Sequence, residues 1–122
     1  MIVDDSSVMR KIVERSLRQA GLEIAQVVEA SNGSEALGLL QNHNVDLVLC
    51  DINMPVMDGL EFVRQAAKIE GGLRAPIVMI TTEGSESHVV HALRAGAKGY
   101  IRKPFTADQV REQVLPLLER AI

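Results

Sequence analysis

The sequence predicts an open, doubly wound α/β fold, with five parallel strands in one sheet and helices on both faces. Three observations carry this expectation. Short apolar runs of strand length alternate with helical patterns along the whole chain, with no repeat and no low-complexity linker. Four of those runs end in, or are followed at once by, a polar group at the start of a turn: Asp4 with Asp5, Asp51, Thr81 and Lys103. The chain has 122 residues, 47% of them hydrophobic, which suffices for one compact domain with its own core.

Taken in order, a first strand of Met1 to Val3 delivers Asp4 and Asp5 to the turn before a helix. Ser6 or Ser7 caps that helix, Val8, Met9, Ile12, Leu17 and Ala20 form its apolar face, and Gly21 ends it. A second strand is expected over Ile24 to Val28. A turn at Asn32, Gly33 and Ser34 then leads into a helix from Glu35 to Gln41, with Ala36, Leu37 and Leu40 on one side. The third strand begins at Leu47 and ends in Asp51, and a turn rich in Pro, Asp and Gly runs from there to Gly59. The next helix extends from Leu60 to Ile69 with Leu60, Val63 and Ala67 inward, and Gly71 and Gly72 close it. Pro76 introduces the strand Ile77 to Thr81. The fourth helix, Ser87 to Arg94, is short and weakly amphipathic, the pattern of a loosely held element, and Gly96 ends it ahead of the strand Gly99 to Arg102. Thr106 to Gln109 has the spacing of a capping box for a last helix with Val110, Val114, Leu117 and Leu118 on one face. Pro116 lies inside that pattern and is expected to bend or loosen its final turns.

The formal net charge of -3, with no block of Lys or Arg, argues against a nucleic-acid surface. No apolar run approaches the roughly 18–20 residues that span a bilayer, and Asp4 and Asp5 interrupt any leader-like segment, so a cytoplasmic protein is expected. The single cysteine, Cys50, sits within an apolar run and reads as a small hydrophobe.

Chains of this pattern commonly adopt the strand order 2-1-3-4-5, which empties the strands ending near Asp5, Asp51, Thr81 and Lys103 into one edge. Each residue taken singly has a structural explanation: helix N-terminal charges, a strand end, a snorkelling lysine. Together they form a set of three carboxylates, one hydroxyl and one ammonium. Two carboxylates about 4 Å apart repel by roughly 4 kcal/mol at an effective dielectric near 20, so such a cluster calls for a counter-charge. Magnesium, a hard cation that takes carboxylates, waters and phosphate oxygens, fits that demand. Lysine serves phosphate as a point charge, and a carboxylate can be the nucleophile that forms an aspartyl phosphate. The set therefore points to phosphoryl transfer onto Asp51, a reaction governed by positioning and electrostatics.

The order of Asp4 and Asp5, the turn Asp51, Asn53, Met54, Pro55, Met57, Asp58 and Gly59, then Thr81, then Lys103, Pro104 and Phe105, resembles the CheY-like receiver domain of two-component response regulators. The likeness covers essentially the whole chain, residues 1–122, and implies the flavodoxin-like (βα)5 fold. It implies that Asp51 accepts a phosphoryl group from a sensor histidine kinase or phosphotransfer protein. Asp5, Asp51 and the carbonyl of Asn53 would bind Mg2+ directly, with Asp4 reaching it through water. Thr81 and Lys103 would contact the phosphoryl group, Lys103–Pro104 would be a cis peptide, and Tyr100 would be the aromatic that moves with Thr81. Asn53 and Glu83 occupy positions that tune self-hydrolysis. The resemblance further implies a switch in which phosphorylation alters the face formed by the fourth helix, last strand and last helix, where a downstream protein binds. It implies no enzymatic activity beyond self-catalysed phosphotransfer and dephosphorylation.

Two features depart from the family pattern. Only three residues precede the acidic pair, which reads as a trimmed first strand, and Pro116 perturbs a helix often used for partner contacts, leaving Leu115 off its face. His88 and His91 read as a solvated or partner-contacting surface. A free-standing chemotaxis-type regulator is the preferred reading; a receiver cut from a larger regulator or hybrid kinase is the alternative. A hydrolase of the haloacid type would need an acid two residues after Asp51, where Asn53 stands. A flavodoxin-like nucleotide binder would need a phosphate loop where Asp4 and Asp5 stand.

Overall fold

The computed structural model describes residues 1–69, 74–82 and 86–119. Its elements in chain order are β1 (Ile2–Val3), α1 (Ser7–Gln19), β2 (Glu29–Ala30), α2 (Gly33–Leu40), β3 (Val48–Asp51), α3 (Gly59–Ala66), β4 (Ile77–Thr81), α4 (Glu86–Ala95), β5 (Gly99–Arg102) and α5 (Ala107–Glu119). The strands form one parallel sheet in the order β2-β1-β3-β4-β5. The expected fold class and strand order are therefore what the chain adopts.

The sheet divides the core into two layers because successive strand residues point to opposite faces. Val48, Cys50 and Met79 pack on one side with Ala36 of α2, Phe62, Val63 and Ala66 of α3, and Val89 and Ala92 of α4. Leu49, Val78, Ile80 and Ile101 pack on the other with Val13 and Leu17 of α1 and Val110 and Val114 of α5. α1, α2, α3 and α5 begin on side-chain caps. Ser6 Oγ accepts from the Met9 N–H at 3.2 Å, Asn32 Oδ1 from Glu35 at 2.9 Å and Asp58 Oδ1 from Glu61 at 2.9 Å. The capping box of α5 is reciprocal: Thr106 Oγ1 accepts from the Gln109 N–H at 3.2 Å, and Gln109 Oε1 accepts from the Thr106 N–H at 2.9 Å.

Three expectations need correction. The second strand lies at Glu29–Ala30, not Ile24 to Val28. β1 pairs through Ile2 and Val3 alone, so the ladder begins where Ile2 meets Glu29, while Ile24 and Val27 pack as irregular chain against the α1 and α5 layer. On α1 the buried seam is Val13, Leu17 and Ala20, with Met9 partly covered, whereas Val8 and Ile12 are exposed. On α3 the inward residues are Phe62, Val63 and Ala66, while Ala67 is exposed and Leu60 only partly buried. α5 continues through Pro116 to Glu119. Glu83, Gly71 and Gly72 lie outside the described residues.

The connection from β3 to α3 is tight and strained. The Met57 N–H donates to the Pro55 carbonyl at 2.7 Å around Val56, whose φ of 66° marks the rare γ-turn of positive φ. A β-branched residue is poorly suited to that conformation, and Val56 is 84% exposed, so no packing compensates. Two residues on, the Gly59 N–H donates to the Ile52 carbonyl at 2.8 Å. A Cβ at Gly59 would collide with the Asp51 carbonyl and lie 2.9 Å from both Ile52 Cα and Met79 Cε. Urea denaturation should therefore find Val56→Gly more stable than wild type by up to about 1 kcal/mol, the relief of left-handed strain less the entropy of glycine. Gly59→Ala should be less stable by about 1–3 kcal/mol, as overpacking at a backbone contact requires.

Candidate functional site

Because β1 and β3 are neighbours with Val3 opposite Cys50, the residues that follow, Asp4 and Asp51, emerge side by side. This is the point where the strand order reverses, the crevice that open α/β sheets offer to ligands. β4 brings Thr81 to the same edge, one residue beyond the partner of Asp51. The Lys103 N–H donates to the Thr81 carbonyl at 2.7 Å, fixing the start of the loop that carries the lysine. The Lys103–Pro104 bond is cis.

Asp4, Asp51 and Thr81 are the buried polar residues among those described, at 1%, 8% and 3% exposure, while Asp5 faces solvent. One carboxylate oxygen from each of Asp4, Asp5 and Asp51 lies within 4.8 Å of the others. Lys103 Nζ stands 3.8 Å from Asp4 Oδ2 and 3.9 Å from Asp51 Oδ1. Asp4 is held tightly: its N–H donates to the Ala30 carbonyl at 3.0 Å and its Oδ1 accepts from the Ser6 N–H at 2.9 Å. Its carbonyl accepts from Arg10 Nη1 at 2.7 Å. Its Oδ2 is buried with no hydrogen-bond partner.

The electrostatics follow from crowding. Burial raises the Asp51 carboxyl above its ordinary range; Lys103 and the N–H groups of Ile52 and Asn53 pull it down, and Asp4 adds to the rise. Asp4 is raised as well, by burial first, against the Ser6 hydrogen bond and Lys103. One ammonium against three carboxylates leaves two negative charges uncompensated. A buried oxygen without a hydrogen bond, with two further carboxylates beside it, is a donor set that could hold a hard divalent cation. Burial pushes the Cys50 thiol well above its usual value, with the neighbouring carboxylates adding to the effect, so it is an inert core residue.

A profile of the response regulator receiver domain matches residues 1–115. The chain belongs to this family. It is 41% identical to a chemotaxis protein CheY homolog of Campylobacter jejuni over 97% of this chain and 90% of that protein. Among solved structures, a putative response regulator from Chloroflexus aurantiacus superposes with a TM-score of 0.86 at 32% identity, covering 98% of this chain and 95% of that one. The chemotaxis response regulator CheY4 of Vibrio cholerae gives 0.77 at 36% identity, covering 99% and 95%. A receiver domain is a phosphorylation-controlled signalling switch, and this chain is one.

Of the other described residues singled out in the sequence, Asn53 reaches the pocket through its backbone N–H beside Asp51, and Tyr100, His88 and His91 lie outside it. Asn53 is exposed in the loop after β3, and Tyr100 projects outward from β5 at 45% exposure. His88 and His91 are both exposed on α4. Glu83 falls outside the described residues. Ser6 is the helix cap the sequence suggests, but its N–H bond to Asp4 and the whole role of Arg10 escape a sequence reading; the only signal is an arginine six residues after the first aspartate.

The raised carboxyls fix the sign of a pH effect. Between the ordinary and the raised carboxylate values the folded domain holds protons that the unfolded chain has released, so the cluster's contribution to stability is full below the ordinary range and is lost as pH rises through the raised values. In EDTA at pH 7, Asp51→Asn should therefore unfold at higher urea than wild type, by on the order of 1 kcal/mol, and the gap should close near pH 4. A gap that stays constant with pH would contradict this electrostatic account.

Proposed function

We propose that Asp51 is the phosphoacceptor of this receiver domain, and that residues 1–122 act as one switch unit in the cytoplasm. The observation that supports this reading best is the placing of Asp51. Its carboxylate ends β3 in a crevice with Lys103 Nζ at 3.9 Å and the unpartnered Asp4 Oδ2 close by. A carboxylate oxygen of Asp51 attacks phosphorus in the phosphohistidine of a sensor kinase or phosphotransfer protein. The P–O bond forms as the P–N bond breaks, and the donor imidazole keeps the electron pair.

Within that reaction the Lys103 ammonium offsets charge on the arriving phosphoryl oxygens, and the Thr81 hydroxyl donates to one of them once the transfer is made. Asp5, Asp51 and the Asn53 carbonyl would hold Mg2+, with Asp4 supporting them. The bound ion supplies neutralisation of charge between carboxylates and phosphoryl group. Asn53 and Glu83 set the rate at which water removes the phosphoryl group. Tyr100 moves with Thr81 and alters the face made by α4, β5 and α5, where a downstream protein binds. No direct nucleic-acid or membrane contact belongs to this scheme; among the described residues no helix is long and apolar enough to cross a membrane.

The relatives' names favour a chemotaxis-type regulator; a receiver unit of a larger regulator or hybrid kinase uses the same chemistry. Hydrolase turnover has no support in the pocket, since Asn53 stands two residues after Asp51 and cannot protonate a leaving group. Intact mass after incubation with acetyl phosphate tests the assignment. Wild type should gain one phosphoryl group with Mg2+ and none in EDTA, and Asp51→Asn should gain none under either condition. A folded wild type that stays unmodified, or a mutant that is modified equally, would sink it.

A further inference from the structure

The acidic pair is held in place by little sheet. β1 and β2 contribute two residues each to their ladder, Ile2 with Glu29 and Val3 with Ala30, and the chain then turns at Asp4 into α1. Arg10, one turn into α1, reaches back across this turn. Its Nη1 donates to the Asp4 carbonyl at 2.7 Å and its Nε donates to Glu29 Oε1 on β2 at 3.1 Å. The planar guanidinium fork makes both bonds at once, which an ammonium cannot reproduce. The side chain is 17% exposed, so the pair is more shielded than an ordinary surface ion pair. Lys11 also reaches Glu29, at Oε2 and 3.3 Å, and makes no hydrogen bond to Asp4.

With Arg10 in place, three of the four polar atoms of Asp4 are fixed: the N–H by Ala30, the carbonyl by Arg10 and Oδ1 by the Ser6 N–H. Only Oδ2 makes no hydrogen bond; it is buried, 3.8 Å from Lys103 Nζ, in the pocket it shares with Asp5 and Asp51. We propose that Arg10 is a positioning residue for the divalent cation. It ties the Asp4 carbonyl to Glu29 of β2 and so holds the acidic turn at the carboxylate spacing the ion needs. This role rests on the reading of the pocket as a Mg2+ site.

Charge and geometry predict opposite signs, which makes the role testable. A guanidinium near the pocket repels Mg2+, so if Arg10 acted only through its charge, removing it would tighten binding. If it positions Asp4, removing it weakens binding despite that relief. Outer partners of metal ligands commonly change affinity by about 10–100-fold when lost.

The experiment is a calorimetric Mg2+ titration of the unphosphorylated protein, which needs no phosphoryl transfer. Arg10→Gln should weaken Mg2+ binding by about tenfold, at the low end of that range. Arg10→Lys keeps the charge and most of the stem but not the fork, and should weaken it by a smaller factor. Lys11→Gln removes the neighbouring cation from the same glutamate without touching Asp4, and should leave binding equal or tighter. Unchanged or tighter binding in Arg10→Gln overturns the proposal, as does equal weakening in Lys11→Gln. Should Arg10→Gln not fold, unchanged affinity in Arg10→Lys overturns it alone. A wild type that binds no Mg2+ overturns the metal assignment itself, and Arg10's role with it.

Discussion

Like charges crowded at the edge of a parallel sheet are the constraint around which this domain is arranged. Carboxylates within 4.8 Å of one another repel by about 3–4 kcal/mol per pair at an effective dielectric of 20, and two of the three are buried. They are brought together by strand order: β1 and β3 lie adjacent although α1, β2 and α2 separate them in sequence. The core on both faces of the sheet sets those strands in register, and the register sets the carboxylates. Lys103 offsets part of the repulsion from β5, and the rest is left for a bound cation. A pocket of this kind trades some stability for readiness to receive positive charge and then a phosphoryl group.

The same compromise is visible in the loop that follows Asp51. Between β3 and α3 the chain has to reverse within a few residues without covering the crevice into which the buried Asp51 carboxylate faces. It does so with Val56 in a positive-φ γ-turn and Gly59 pressed against the backbone of Asp51 and Ile52. Gly59 answers a geometric demand that no other residue meets, because the obstructing atom is a carbonyl and not a side chain that can swing away. Val56 answers none that packing reveals. Strain of this sort persists where the surroundings over-determine the backbone, and here the N–H of Gly33 on the Met57 carbonyl at 3.0 Å ties the loop to the start of α2.

What the sequence made legible follows the range of the interaction involved. β4 appears at the residues expected because a continuous apolar run after Pro76 defines it, and β5 because a short segment of alternating exposure lies between Gly96 and Pro104. The capping box at Thr106 and Gln109 is likewise a matter of four adjacent residues. That Asp4, Asp5, Asp51, Thr81 and Lys103 gather at one sheet edge was legible because each lies at or just past a strand end. β2 was misplaced because its limits are set by β1, a partner more than twenty residues away, and not by the apolar stretch preceding it. α1 carries two apolar stripes, Val8 with Ile12 and Met9 with Val13, Leu17 and Ala20, and only packing on the sheet decides between them. Arg10 was invisible for the same reason, since its two partners meet only after β1 and β2 pair.

The proposed switch needs an element that can move at small cost, and α4 has the attributes of one. It buries Val89 and Ala92 while Val90 and Leu93 stay exposed, a thin anchor beside that of α3, which buries Phe62, Val63 and Ala66. Tyr100 stands outward on the neighbouring strand, with Thr81 buried at the end of the next. Reversing a two-state equilibrium from 1:99 to 99:1 takes about 5.5 kcal/mol of differential interaction. A single hydrogen bond from Thr81 to a phosphoryl oxygen supplies about 1.5–3 kcal/mol, even with a charged acceptor. The balance has to come from surface that a partner covers in one arrangement only, and the exposed apolar residues of α4 together with Tyr100 are where this domain has such surface to offer. Phosphorylation on this account biases the face, and the partner completes the shift.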